Sequence, residues 1–177
     1  PEEANIEIAR RYFAAYAPAT AYDFAYWRGI RMDAARRWVA ALGEELAEVR
    51  VEGATMLVRR EHLDALAALP PKADSLPVRM LYRFEPLLLG HRDRAWVIPP
   101  EFNKRVSRPA GHIEGVVLVR GRAAATWRYD RKGAGLVITV SPFKSLAKAV
   151  TDKLPKIAAG VADFFDLPLG DLRIEPV

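Results

Sequence analysis

The stretch Thr20-Ala21-Tyr22-Asp23-Phe24-Ala25-Tyr26-Trp27-Arg28-Gly29, followed by Asp33-Ala34-Ala35-Arg36-Arg37-Trp38-Val39-Ala40-Ala41-Leu42-Gly43, decides the fold. Thr20 suits a helix N-cap, with Asp23 three residues on as an imperfect capping box. Gly29 supplies a turn, Asp33 is expected to cap a further helix with Ala35, Trp38, Val39 and Leu42 on its buried face, and Gly43 is expected to end it. Upstream, Ile8, Tyr12, Phe13 and Tyr16 recur at helical spacing from about Glu3, with Arg10 and Arg11 facing away and Ala17-Pro18 as the stop. Downstream, Leu46 to Arg50 and Thr55 to Val58 read as a hairpin turning at Glu52-Gly53, with Val49 and Val51 on one face. Three helices and a hairpin make a winged helix, expected over residues 1–69. In a DNA-reading copy the third helix, with Arg36 and Arg37, enters the major groove. The hairpin carries Glu48 and Glu52 and the unit is net acidic, which favours reading this copy as a structural spacer.

His62 to Leu69 suggests a short helix, and Pro70 to Pro77 has the composition of a linker. From 78 to 177 an α+β domain is expected. Its core is a small antiparallel meander of Val116–Val119, Ala123–Tyr129 and Leu136–Val140, turning at Arg120-Gly121 and at Arg131 to Gly135. A helix from about Ser145 to Phe165 is expected to cover it.

The 177 residues carry a net charge of +5, unevenly spread. Residues 1–70 hold 9 Lys/Arg against 11 Asp/Glu, whereas 79–132 hold 12 against 5. The concentrated excess points to a polyanion, although an arginine-rich solvated surface has the same composition. There is no cysteine, and His62, His91 and His112 show no ligand spacing, so neither a disulfide framework nor a metal site is expected, and no cofactor motif is present. No apolar run is long enough to span a bilayer and the N-terminal residues are acidic, which suggests a cytoplasmic protein with no membrane partner.

The string Phe84-Glu85-Pro86-Leu87-Leu88-Leu89-Gly90-His91-Arg92-Asp93-Arg94, with Val117-Leu118-Val119-Arg120-Gly121-Arg122 and Thr126-Trp127-Arg128 after it, resembles the winged-helix DNA glycosylases typified by YcaQ and AlkZ. Arg11-Tyr12-Phe13, Pro18-Ala19-Thr20 and Asp23 to Gly29 resemble the segment that builds an internal winged helix in that family. The resemblance implies a role on double-stranded DNA, hydrolysing N-glycosidic bonds of alkylated or crosslinked bases. It also implies a Gln-x-Gln or Gln-x-Asp catalytic motif. This chain contains no glutamine, so no catalytic residue is assigned and the chain reads as a C-terminal portion, inactive on its own. The alternative is a non-enzymatic DNA-binding protein or regulator.

The expected DNA contacts are backbone-type. His91, Arg92 and Arg94 form one group, with Asp93 able to fix an arginine fork. Lys104, Arg105 and Arg108 flank a short helix opened by Pro99-Pro100. Arg128, Arg131 and Lys132 lie on a strand and its following turn, with Trp127 read as core.

Overall fold

The computed structural model describes residues 2–68, 72 and 76–177. The chain divides into two compact units, Pro1–Pro71 with Pro86–Asp93, and Lys72–Glu85 with Arg94–Val177. Most of the expected linker, and Leu69 of the expected short helix, lie outside the described residues. The fold class is α+β, a set of helices with one hairpin and one larger mixed sheet.

In the first unit α1 spans Glu2–Tyr16, with Glu2 and Glu3 in its first turn where carboxylates favour the helix dipole. It buries Ala9, Tyr12 and Phe13 against Phe24 of α2 (Ala21–Arg28). The capping box of α2 is complete: the Asp23 N–H donates to Thr20 Oγ1 at 3.1 Å and the Thr20 N–H donates to Asp23 Oδ2 at 2.9 Å. Gly29, at φ +69°, takes the left-handed conformation that closes the helix.

Helix α3 (Met32–Ala40) corrects two expectations. Arg31 occupies the N-cap without a side-chain cap, and Asp33 lies inside the first turn, where Arg31 Nε reaches it at 3.2 Å. Gly43 does not end α3 but opens a 3₁₀ turn leading into β1. The buried face is Ala35, Trp38 and Val39, with Arg36 and Arg37 exposed.

Strands β1 (Leu46–Val51) and β2 (Ala54–Arg59) form the antiparallel hairpin. Its two-residue turn has positive φ at both Glu52 (48°) and Gly53 (86°), the backbone twist that suits a tight hairpin. Ala19 and Leu57 exchange backbone hydrogen bonds of 3.0 and 2.8 Å, tying the hairpin to the α1–α2 connection. Arg10 adds a second tie, donating to both oxygens of Glu45 at 2.7 and 2.9 Å. A short α4 (Leu63–Ala67) follows, and α5 (Pro86–Leu89) buries Leu88.

The second unit is a five-stranded sheet in the order β3–β4–β5–β6–β7. Its strands are β3 (Arg79–Leu81), β4 (Gly115–Val119), β5 (Arg122–Lys132), β6 (Gly135–Pro142) and β7 (Leu169–Ile174). The expected meander is β4–β6, but the sheet extends beyond it on both sides. It is mixed rather than antiparallel, because β7 pairs parallel to β6 after a helical crossover. That crossover holds two helices where one was expected, α7 (Lys148–Thr151) and α8 (Leu154–Phe164). Pro155 explains the break: lacking an N–H, it fits the first turn of α8 but not a helix interior. Leu154, Ala158 and Ala162 of α8 pack on Val117, Ala125, Trp127, Leu136, Ile138 and Val140. A short α6 (Asn103–Val106) follows a 3₁₀ turn opened by Pro100. The β5–β6 turn is only Gly133-Ala134, so Arg131 and Lys132 stand on the strand, not at a loop tip.

Candidate nucleic-acid interface

Apart from Arg108 and Arg128, the expected contact residues fall into three physical groups. The first is used inside the fold. His91 is 6% exposed, and its Nε2–H donates to the Pro18 carbonyl at 3.2 Å, so the ring holds a loop instead of facing solvent. Arg105 donates from Nη2 to the Ser141 carbonyl at 3.2 Å and lies 4.9 Å from the Phe143 ring centre. Arg94 is half-buried, and its carbonyl accepts the Val97 and Ile98 N–H groups. The unit division falls between Asp93 and Arg94.

The second group is exposed and engaged with neighbouring side chains. Arg92 lies over Tyr22 at 4.4 Å while its backbone N–H is fixed by Asp23. Arg37 pairs with Glu2 at 2.9 Å. Arg131 sits 5.8 Å from the Phe165 ring centre. The third group, Arg36, Lys104 and Lys132, is exposed and makes no ion pair among the described residues.

Arg108 and Arg128 converge on a residue that the sequence alone did not mark. Glu114 immediately precedes β4, and the register that sets Gly115 opposite Trp127 brings it beside Arg128. Arg128 grips it with Nε on Oε2 at 3.0 Å and Nη2 on Oε1, and Arg108 Nε reaches Oε1 at 3.3 Å. His112 Nε2 stands 3.6 Å from Oε2. The Glu114 side chain is 4% exposed, whereas those of Arg108 and Arg128 are 47% and 61% exposed. The carboxylate is therefore a buried anchor, and the remaining guanidinium N–H groups face outward as two oriented forks. Burial alone pushes the Glu114 carboxyl up, but hydrogen bonds from Arg128 and then Arg108 outweigh it and hold it below the usual range. The same contact, led by the Glu114 hydrogen bond, raises Arg128.

Beside the anchor lies an open cleft of about 470 Å³ whose lining includes Tyr82, Arg83, Glu114, Trp127 and Arg128. Trp127, 4% exposed, forms its floor, with the indole N–H donating to the Leu81 carbonyl at 2.7 Å. Two faint features of the sequence lie at this place, neither of which specifies the pairing: His112-Ile113-Glu114 sets two polar side chains just ahead of an apolar strand, and Tyr82-Arg83 and Arg128-Tyr129 set aromatic beside basic groups. Among the described residues no group of three His, Cys, Asp or Glu side chains is placed to hold a metal ion, and no helix is long and apolar enough to cross a membrane.

Residues 1–164 match the family model described as DNA glycosylase AlkZ-like. The chain is 34% identical over 167 residues to an interstrand DNA cross-link repair glycosylase of Streptomyces sahachiroi, an alignment covering 92% of this chain and 43% of that protein. It also resembles the solved structure of the DNA glycosylase AlkZ of Streptomyces sahachiroi, with a TM-score of 0.84 and 34% identity over 99% of this chain and 46% of that one. The chain thus spans less than half the length of these relatives.

Proposed function

Because the chain belongs to the AlkZ-like DNA glycosylase family, we propose that it is the DNA-gripping portion of a glycosylase acting on alkylated or crosslinked double-stranded DNA in the cytoplasm. In this reading residues 1–69 are a winged helix, a view supported by the order of α1 to α3 and the β1–β2 hairpin. The observation that carries the proposal is the pair of arginines, Arg108 and Arg128, clamped outward on buried Glu114. A guanidinium held on a carboxylate loses little rotamer entropy when it meets a phosphate oxygen, so the pair suits backbone contact without base reading. Lys104, Arg92, Arg131 and Lys132 add exposed charge. Arg36 and Arg37 give the winged helix a weaker contact, since Arg37 is already paired with Glu2.

The chain has no glutamine, so it contributes grip rather than the water-orienting chemistry that the family's glutamine motif supplies. The test is fluorescence anisotropy of the chain on a duplex across a salt series, beside an excision assay on alkylated DNA. Binding that weakens steeply with salt, with no base released, is the expected pair of results. Absent or salt-independent binding overturns the proposal. Excision by the pure chain would show that it carries an active site of its own.

A further inference from the structure

We propose that the cleft beside Glu114 receives one unpaired nucleotide of bound DNA, its base against Tyr82 and its phosphate on the Arg83 and Arg128 guanidinium groups. The inference rests on the DNA-binding reading of the chain and adds a ligand and a site to it.

The cleft exists because the sheet is notched. Strand β5 has 11 residues, yet β4 accompanies it only as far as the Gly115–Trp127 pair. From Arg128 to Lys132 it is joined to β6 alone. Tyr82, leaving β3, stands across the notch. Its hydroxyl meets that of Tyr129 at 2.8 Å, and its ring lies 5.9 Å from Trp127 and 6.0 Å from Tyr129. At 36% exposed it shows part of its surface to solvent. The floor is closed down to the backbone: a Cβ on Gly115 would stand 2.7 Å from Trp127 Nε1.

Three chemistries meet there. Tyr82 offers an aromatic surface. Arg83, 5.4 Å from the Tyr82 ring centre, and Arg128, anchored by Glu114, offer cationic N–H donors. Asp130 lines the cleft and is exposed, and its side chain makes no ion pair or hydrogen bond among the described residues, so it offers a carboxylate acceptor. Free phosphate would use the arginines and leave Asp130 repelling it. A peptide strand added to the open edge of β5 would have to displace Tyr82 from Tyr129. A nucleotide uses all three groups, with the base stacked, the phosphate on the arginines, and an exocyclic amine such as cytosine N4 donating to Asp130. The cleft volume of about 470 Å³ falls within the range of about 300–1,000 Å³ usual for small-ligand sites.

The experiment compares three duplexes of equal length by anisotropy at fixed low salt: fully paired, with one bulged cytosine, and with one bulged thymine. The chain is expected to bind the cytosine bulge about tenfold more tightly than the paired duplex, the worth of one base–aromatic stack, and more tightly than the thymine bulge. Tyr82→Ala should abolish the bulge preference, and Tyr82→Phe, which keeps the ring, should retain it. Asp130→Asn should bring cytosine and thymine together. Thermal melts establish that each variant is folded. Equal affinity for paired and bulged duplexes, or a preference that survives Tyr82→Ala, overturns the inference and leaves the DNA-binding proposal standing. Failure to bind any of the three overturns both.

Discussion

Asp23 and Arg92, 69 residues apart, are joined by a hydrogen bond of 3.0 Å from the Arg92 backbone N–H to Asp23 Oδ1. The other carboxylate oxygen closes the capping box of α2 through Thr20. One side chain, 5% exposed, thus starts a helix and fastens a distant loop. Asp23→Ala removes the cap and leaves the Thr20 and Arg92 N–H groups short of an acceptor, so a loss of about 2–3 kcal/mol is expected. Asp23→Asn, which keeps an acceptor oxygen, should lose less. Chemical denaturation of the two variants measures the difference, and equal losses would contradict the two-oxygen account.

Gly90 faces a similar constraint from packing. A Cβ there would lie 2.4 Å from Cδ1 of Tyr16, near the root of a ring that cannot swing away cheaply, while the Gly90 carbonyl accepts the buried Tyr12 hydroxyl at 2.7 Å. Gly90→Ala is expected to cost about 1–3 kcal/mol. Gly160, inside α8 with nothing within 4 Å of a built Cβ, is the contrast: Gly160→Ala should stabilise by about 0.5–1 kcal/mol. Urea titrations of both variants check the opposite signs.

The Glu114 anchor predicts a pH dependence of definite sign. Its folded carboxyl titrates below the ordinary value of 4.5, so the stabilisation is fully present above about pH 4.5 and is lost as pH falls through the lower folded value. Glu114→Gln should therefore lower Tm near neutrality, with the gap to the parent narrowing as pH is taken progressively below 4.5. A gap that is constant over this range would mean that the carboxylate charge is not what holds the arginines.

Where DNA lies is open to a charge count. Lys104→Ala with Lys132→Ala removes two exposed cations that have no ion pair among the described residues, at little expected cost to the fold. If both touch phosphate, the salt slope of binding falls by about 1.8, at roughly 0.9 per contact. The pair Arg36→Ala and Arg37→Ala is expected to change it less. A larger effect from the helix pair would make α3 the principal contact.

The helices of the first unit were readable because their apolar residues recur at helical spacing and because Thr20, Asp23 and Gly29 mark the ends of α2. The hairpin turn was readable in Glu52-Gly53. Other features lacked a local signal. Strand β3 has three residues, and β7 carries Gly170 and Asp171, which weaken a strand pattern. The break between α7 and α8 was masked by the apolar residues on both sides of Pro155. Glu114 was hidden for a deeper reason. Its pairing with Arg128 depends on the register of β4 against β5, which shifts between Val117 and Leu118, and no spacing rule encodes that shift. Which expected cations are already engaged was equally without a local signal: Arg108 shares the anchor, and Arg105 donates to the Ser141 carbonyl.

The return of Pro86–Asp93 to the first unit bears on inheritance. A gene segment encoding only residues 1–71 would leave the Tyr12 hydroxyl without the Gly90 carbonyl and Asp23 without the Arg92 amide. A segment encoding 72–177 would carry eight residues whose partners lie in the other unit. No single breakpoint therefore separates the two units without parting the Pro86–Asp93 segment from the residues it packs with.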